Sequence, residues 1–347
     1  MVSGIFHTSY ESDMALRRTP AQKIRLALFI LFILVFPFFA SRYTLTLANQ
    51  VAIATIGAIG LNILTGYTGQ ISLGQGGFMA VGAYTAGLVT VRLGLPWWLS
   101  IIIASLVTAA VGALFGIPSL RLKGLYLAIA TLAAQEIILW VVTHWKALTG
   151  GVEALVVPDP MLFGIRINSD FNFYWLAWGL VGITALMTVN LFRTHYGRAF
   201  IAIRDQDIAA EVMGINLFRY KLLAFALSSF FVGLSGALIA HYRSIVTWER
   251  FTIDVSVLYL AMIIIGGLGS VSGSLFGATF MTLLPAVLNN LGRSLRGVFP
   301  QITSIMPFIQ QATFGLVIIL FLILEPEGIK KLWEDIKDYF RLWPFSY

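Results

Sequence analysis

Glu136, in the stretch LAAQEIILW, is the one carboxylate set well inside an apolar run, and it stands beside Gln135. A carboxylate in hydrocarbon is costly, so it must pair, meet water or serve a function such as orienting a cationic group. On a helix starting near Leu125 it would also be placed to hydrogen-bond a neighbouring helix, and both readings stand. Other chemistry has no residues to carry it. The histidines His7, His144, His195 and His241 are scattered, and neither H-E-x-x-H nor G-x-S-x-G occurs, which leaves no case for a metalloprotease or a serine hydrolase. There is no G-x-x-x-x-G-K-[ST] loop, so the chain has no phosphate cradle with which to hydrolyse ATP. Without cysteine it has no disulfide, thiolate metal site or thiol nucleophile. Ion-driven transporters carry relays of acids, histidines or arginines in their spans, and a single acid disfavours proton or sodium coupling.

The second candidate is a run of polar and small residues inside apolar surroundings, NILTGYTGQISLGQGGFMAVGAYTAG at 62–87. Shifting the chain by 200 positions lays Gly66, Gly69, Ser72 and Gly77 on Gly266, Gly269, Ser272 and Gly277. Helices broken at glycine expose backbone N–H and C=O groups that lipid cannot satisfy, so such segments persist only where protein buries them or water reaches them. Paired, interrupted hydrophobic segments are expected of transporter folds built from two related halves. Gly66, Gly69, Gln70, Ser72, Gln75 and Gly77, with Gly266, Gly269 and Ser272 from the second copy and Glu136, are therefore the candidate lining of a translocation pathway. Glycines also let helices pack closely, and Gly112-x-x-x-Gly116 and Gly273-x-x-x-Gly277 have that form. The two copies carry the same orientation by crossing count, and a re-entrant segment at either would invert it.

The elements that must position these residues are membrane helices. A chain of 347 residues that is 58% hydrophobic and 11% charged, with mean hydropathy +0.86, is far from a soluble domain. Apolar runs at 24–40, 44–65, 97–117, 125–143, 174–192, 220–241 and 308–324, with glycine-interrupted runs at 72–92, 256–268 and 274–290, give about ten crossings of an all-α polytopic protein. The first run has no obvious small-x-small cleavage site before Arg42 and reads as an uncleaved anchor. With a cytoplasmic N-terminus, fifteen of the 23 Lys and Arg fall on inner segments, as the positive-inside rule requires, and both termini are then cytoplasmic. The net charge of +7 is mostly this topology signal, and spread over short loops it does not describe a nucleic-acid surface. The chain divides into an inner segment 1–23, a permease domain 24–325 and an inner tail 326–347. A Gly- and Pro-punctuated outer loop at 144–172 is a candidate partner surface able to hold short strands or an interfacial helix. The long inner loop at 193–220 holds a short helix expected to be capped by Asp207 and stopped by Gly214, with Ala210 and Met213 on one side.

The sequence GRAFIAIRDQDIAAEVMGINLFRYKLLAFALSSFFVGLSGAL, with GLNILTGYTGQISLGQGGFMAVGAYTAG and IIIGGLGSVSGSLFGATF, closely resembles the LivM-type permease subunits of bacterial branched-chain amino acid ABC importers, over residues 45 to 325. The resemblance implies a multi-pass subunit of the cytoplasmic membrane that carries no cofactor of its own. Its partners would be a second, LivH-like permease, two cytoplasmic ATPases that hydrolyse the ATP, and a periplasmic or extracellular solute-binding protein. It also implies that Arg198, Asp207, Ala209, Ala210 and Gly214 belong to the segment that docks on an ATPase. Related permeases serve urea and short amides, so a channel or facilitator for a small neutral solute is the alternative.

Overall fold

The computed structural model describes residues 20–119, 122–162, 165–166, 169–295, 302–325 and 327–342. Arg17, Arg18, Arg121 and Arg296 of the orientation count lie outside them. The helices in chain order are α1 (Pro20–Phe39), α2 (Arg42–Thr68), α3 (Gln75–Leu93), α4 (Trp97–Ser119), α5 (Leu125–His144), the single turn α6 (Lys146–Thr149) and α7 (Asp170–Arg193). After them come α8 (His195–Asp205), α9 (Asp207–Val212), α10 (Leu217–Arg243), α11 (Ile253–Gly266), α12 (Val271–Leu295), α13 (Ile302–Leu324) and α14 (Ile329–Leu342).

The fold is all-helical and polytopic. Helices at 42–68, 97–118, 125–144, 170–193, 217–243, 271–295 and 304–324 are long and apolar enough to cross a membrane. The three remaining apolar runs fall on α1, α3 and α11. With 14 residues, α11 spans only about 21 Å, short of the roughly 30 Å hydrocarbon core. Glycine truncates it.

The outer loop holds two-residue strands. β1 (Leu155–Val156) pairs antiparallel with β4 (Ile245–Val246), and β2 (Met161–Leu162) pairs with β3 (Ile165–Arg166). The short strands allowed for this loop are present, and the single turn α6 precedes them.

The core is built on α2 and α10. α10 packs against α2, α3 and α4, and α2 also packs against α7, α11 and α12. Such closeness needs small residues: a Cβ at Gly82 would overlap the Gly233 backbone, and one at Gly236 would overlap the Met79 carbonyl. Gly116 of the first GxxxG pair sits 3.2 Å, measured from an added Cβ, from Phe225. In lipid this van der Waals fit, rather than expulsion of apolar surface from water, is what holds helices together.

α2 ends by a glycine stop. Gly69 takes a left-handed conformation at φ 70°, its N–H bonds the Thr65 carbonyl at 3.2 Å, and the Gln70 N–H bonds the Leu64 carbonyl at 3.1 Å. This double return satisfies carbonyls that a simple helix end would leave bare. The chain then runs without regular structure through Gln70–Gly74, and α3 begins beside the middle of α2, where Gln75 Nε2 donates to the Gly57 carbonyl at 3.1 Å.

Candidate functional site: the junction of the two glycine breaks

The side chain of Asn62, buried in the last turns of α2, bridges the two copies of the repeat. Its Nδ2 donates to the Ser270 carbonyl at 2.9 Å and to Ser274 Oγ at 2.7 Å, while its Oδ1 accepts from the Gly269 N–H at 2.9 Å. Ser270 and Gly269 belong to the break between α11 and α12, so one amide satisfies the backbone that this break frees. A Cβ at Gly66 would overlap both Asn62 Oδ1 and the Gly269 nitrogen. Gly66 is thus required by contact between the copies.

Arg204, in the last turn of α8, closes the junction from the surface. Its Nη1 donates to the Gly66 carbonyl at 3.2 Å, and Asp205 Oδ1 accepts from its Nε at 2.9 Å. An added Cβ at Gly69 would lie 3.3 Å from Arg204 Cγ, and one at Gly269 would lie 3.1 Å from Arg204 Nη1. A single guanidinium therefore touches both breaks, and it is carried by the surface helix that leads into α9. Tyr67, at the end of α2, stacks on Phe192 of α7 at 3.5 Å with planes 12° apart, which fixes the remaining side.

The repeat is parallel. Gly57 faces Tyr259, an added Cβ lying 2.6 Å from its ring, and nine residues on Gly66 faces Gly269, so α2 and α11 run side by side in the same direction into breaks at one end of the bundle. Of the two orientations the sequence left open, this is the one without re-entrant inversion.

Deeper in the bundle the start of α3 is held by a polar node. The Gly76 N–H donates to Ser256 Oγ at 2.8 Å, and the Leu73 N–H donates to Thr131 Oγ1 at 2.9 Å. The amide of Gln135, with its nitrogen toward Leu73, donates to that carbonyl at 3.0 Å and to Ser256 Oγ, and accepts from the Ile253 N–H at 3.0 Å. Gly77 lets α3 lie on this residue, an added Cβ being 2.8 Å from Gln135 Cα. Gly266 and Gly277 meet in the α11–α12 hairpin, where added Cβ atoms would overlap the Gly273 and Met262 carbonyls.

The structure thus gathers Gly66, Gly69 and Gly269 at the junction and Gln75 and Gly77 at the node. Gln70 and Ser72 are buried between these two places, whereas Ser272 is exposed at the start of α12. Glu136 stands apart from all of them, on the outward face of α5 with Ile129, Ile137 and Trp140. Its neighbour Gln135 points inward and carries the node.

The surface loop departs from expectation in two details. Asp207 is the first helical residue of α9, and Gln206 occupies the cap position without a side-chain bond. The Asp207 carboxylate instead reaches Lys123 Nζ at 2.5 Å and Lys221 Nζ at 3.6 Å, and the Lys123 hydrogen bond, aided by Lys221, holds it below the usual carboxylate range. Ala210 and Met213 do not share a side: Ala210 is buried, whereas Met213, like Val212, is 83% exposed. Ala210 faces the body because α9 is pinned at Asp207, and Ile208, Val212 and Met213 are left outward. Gly214 is left-handed at φ 86°, as a stop requires, and the Ile215 N–H closes onto the Ala210 carbonyl at 3.0 Å. Arg198 and Ala209 are exposed on the same surface. Between this loop and the first break lies a polar cavity of about 220 Å³ lined by Gln70, Lys123, Arg204, Asp207 and Lys221, among others.

Asn62 and Arg204 were not visible as site residues in the sequence. Position 262, the repeat partner of Asn62, is methionine, and Arg204 reads as one more basic residue of an inner loop.

Paired helix breaks meeting inside a polytopic bundle, tied to a surface helix, define a membrane permease component. The chain belongs to the family of permease components of branched-chain amino acid transport systems, whose model matches residues 43–324. It is 33% identical over 335 residues to the high-affinity branched-chain amino acid transport system permease protein LivM of Escherichia coli, covering 90% of this chain and 75% of that one. A probable LivM permease of Methanocaldococcus jannaschii is 25% identical, covering 67% of each chain. The probable LivH permease of the same organism is 27% identical, covering 81% of this chain and 89% of that one. No solved structure matches.

Proposed function

We infer that this chain is the membrane-spanning permease subunit of an ATP-driven importer of branched-chain amino acids, working in the bacterial cytoplasmic membrane. It carries no nucleotide site and acts with a second, LivH-like permease, two cytoplasmic ATPases that hydrolyse ATP, and a solute-binding protein on the outer side. All ten apolar runs cross or enter the bilayer, and both termini are cytoplasmic. The observation that carries this reading, beside the family, is Arg204: a residue of the surface loop that touches both glycine breaks gives an ATPase pressing on that loop a direct mechanical route to them.

In this reading α9 is the docking point, with Arg198 and Ala209 beside it, Ala210 seating it and Gly214 ending it. The breaks and the node, with Gln70, Ser72, Gln75, Gly266 and Ser272, form the wall that opens. Glu136 faces the second permease, because an acid in mid-span is not left to lipid.

Reconstitution separates this from a facilitator for a small neutral solute. In proteoliposomes holding this chain with the three kinds of partner, leucine uptake requires ATP on the loop side and binding protein on the other. Uptake by this chain alone, without ATP, sinks the importer reading.

A further inference from the structure

We propose that α14 is an interfacial helix that lies on the lipid surface beside the end of α13 and anchors the second glycine break to the headgroups of the bilayer. It lies beyond the family match, which ends at residue 324, so nothing about the family assigns it.

The sequence of α14, IKKLWEDIKDYFRL, is sorted by face. At 100° per residue, Ile329, Leu332, Trp333, Ile336 and Tyr339 fall on one stripe. Lys330 and Lys337 flank one edge of that stripe and Asp335 the other, while Glu334, Asp338 and Lys331 fall opposite it, Lys331 pairing with Glu327 at 4.0 Å and Asp335 at 3.6 Å. An apolar stripe with two lysines along one edge and an ion-paired charged face opposite is an arrangement that places ammonium groups at phosphate depth and the carboxylates of Glu334 and Asp338 in water.

The apolar stripe is not consumed by the protein. Ile329 packs on the core, but Leu332, Trp333, Ile336 and Tyr339 are 37%, 51%, 39% and 59% exposed. Lys337 Nζ lies 5.7 Å from the centre of the Trp333 ring, holding the flanking cation close to the stripe. The start of the helix cannot go far from the membrane surface, since α13 ends at Leu324 and five steps of chain to Ile329 reach at most about 18 Å. Ile323 and Leu324 at that exit are themselves exposed apolar residues.

The root of α14 is seated on the second break. Gly328, at φ 78°, brings the chain so near that an added Cβ would lie 2.6 Å from the Gly267 nitrogen and 2.8 Å from the Ile265 carbonyl. In return an added Cβ at Gly267, at φ 117°, would lie 3.0 Å from the Glu327 carbonyl. Whatever fixes α14 therefore fixes one side of the junction that Arg204 closes from the other.

The test uses the full chain, which is free of cysteine, in nanodiscs. A fluorophore is placed at Ile336→Cys on the stripe or at Asp338→Cys opposite it. In discs containing phosphatidylglycerol, the label at position 336 should be quenched by a lipid-borne quencher and shielded from an aqueous one, with the order reversed at position 338. Replacing Lys330 and Lys337 by glutamine should lower the docked population about fivefold per lysine. Equal aqueous quenching at both positions, or shielding at 336 that arises only when the ATPases are added, overturns the proposal; the second outcome would make α14 a protein-docking helix. None of these readouts depends on transport, so they stand or fall separately from the importer reading.

Discussion

Asn62 satisfies three groups of the second break with one side chain, so its loss should be felt beyond its own volume. Truncation to alanine leaves the partly buried Gly269 N–H without its partner, at about 1–3 kcal/mol, while the Ser270 carbonyl keeps the Ser274 N–H at 3.0 Å. Asn62→Ala should lower the thermal transition of the purified permease and reduce transport, while Asn49→Ala, with one bond to the Asp170 carbonyl, should cost less. Equal transitions for the two variants would mean that the bridge between the repeats carries no weight. Glu136 makes the opposite kind of claim. Glu136→Gln keeps shape and hydrogen-bonding capacity and lies apart from the junction and the node, so uptake at normal expression should be preserved; a fall well below the original rate would mean that its charge orients a substrate ammonium. The glycines of the junction were legible in the sequence because identical residues recur 200 positions apart, a spacing that chance and simple packing do not explain. Asn62 was not, because its partners in the second copy are backbone atoms, which leave no residue type to recognise. Gln135 and Glu136 show the same limit: adjacent polar residues in one apolar run are equivalent in sequence, and only the rotation of α5 decides which turns inward.

If α9 is the proposed docking point, it must both hold still and be pushed. Its seat is Ala210, and its anchor is the Asp207 carboxylate between Lys123 and the largely buried Lys221. Ala210→Trp fills the seat, and Gly214→Val forces a β-branched residue to positive φ, a strain of order 1–2 kcal/mol. Both variants should reach the membrane and lose substrate-stimulated ATPase activity in the assembled complex, and normal stimulation in both would remove the coupling assignment. Asp207→Asn should weaken the same response less, because the turn of α9 survives and one partner, Lys123, is exposed, where ion pairs contribute about 0–1 kcal/mol. The sign with pH follows from the lowered carboxyl. Its contribution is complete above the ordinary carboxylate range near 3.9 and is lost only as pH falls through the docked value, so stimulation measured between pH 5 and 8 should show no step from this residue. At this scale much was readable: every apolar run became a helix, and the left-handed stop at Gly214 stands where the sequence put it. What failed was the face of Met213, since a six-residue helix has too few turns for periodicity to fix its rotation and a salt bridge to distant Lys123 fixes it instead.

At the scale of the whole molecule, the ends of α2, α11 and α13 and the beginnings of α12 and α14 converge with α8 on one end of the bundle, so both breaks are reached from the same side. Parity left the orientation open, because one re-entrant segment would invert it, and the sequence could not reveal that the copies touch, since no periodicity encodes the distance between two helices. The contact sharpens the accessibility test. Gln70, Ser72, Gln75 and Ser270 are buried in this arrangement, whereas Ser272 is exposed. Single cysteines at these five positions can be probed with a small hydrophilic thiol reagent in assembled complexes, with and without ATP turnover. Ser272→Cys should react in both conditions. The four buried positions should be slow at rest and become reactive during turnover, because alternating access along the proposed pathway would part the two breaks from each other and from Arg204. Leu132→Cys and Leu238→Cys, in plain apolar stretches of α5 and α10, should stay inert throughout. If the four buried positions remain as inert as these controls while the complex hydrolyses ATP and transports, the junction is a rigid clamp and the pathway runs elsewhere, along a face this chain presents to its partner.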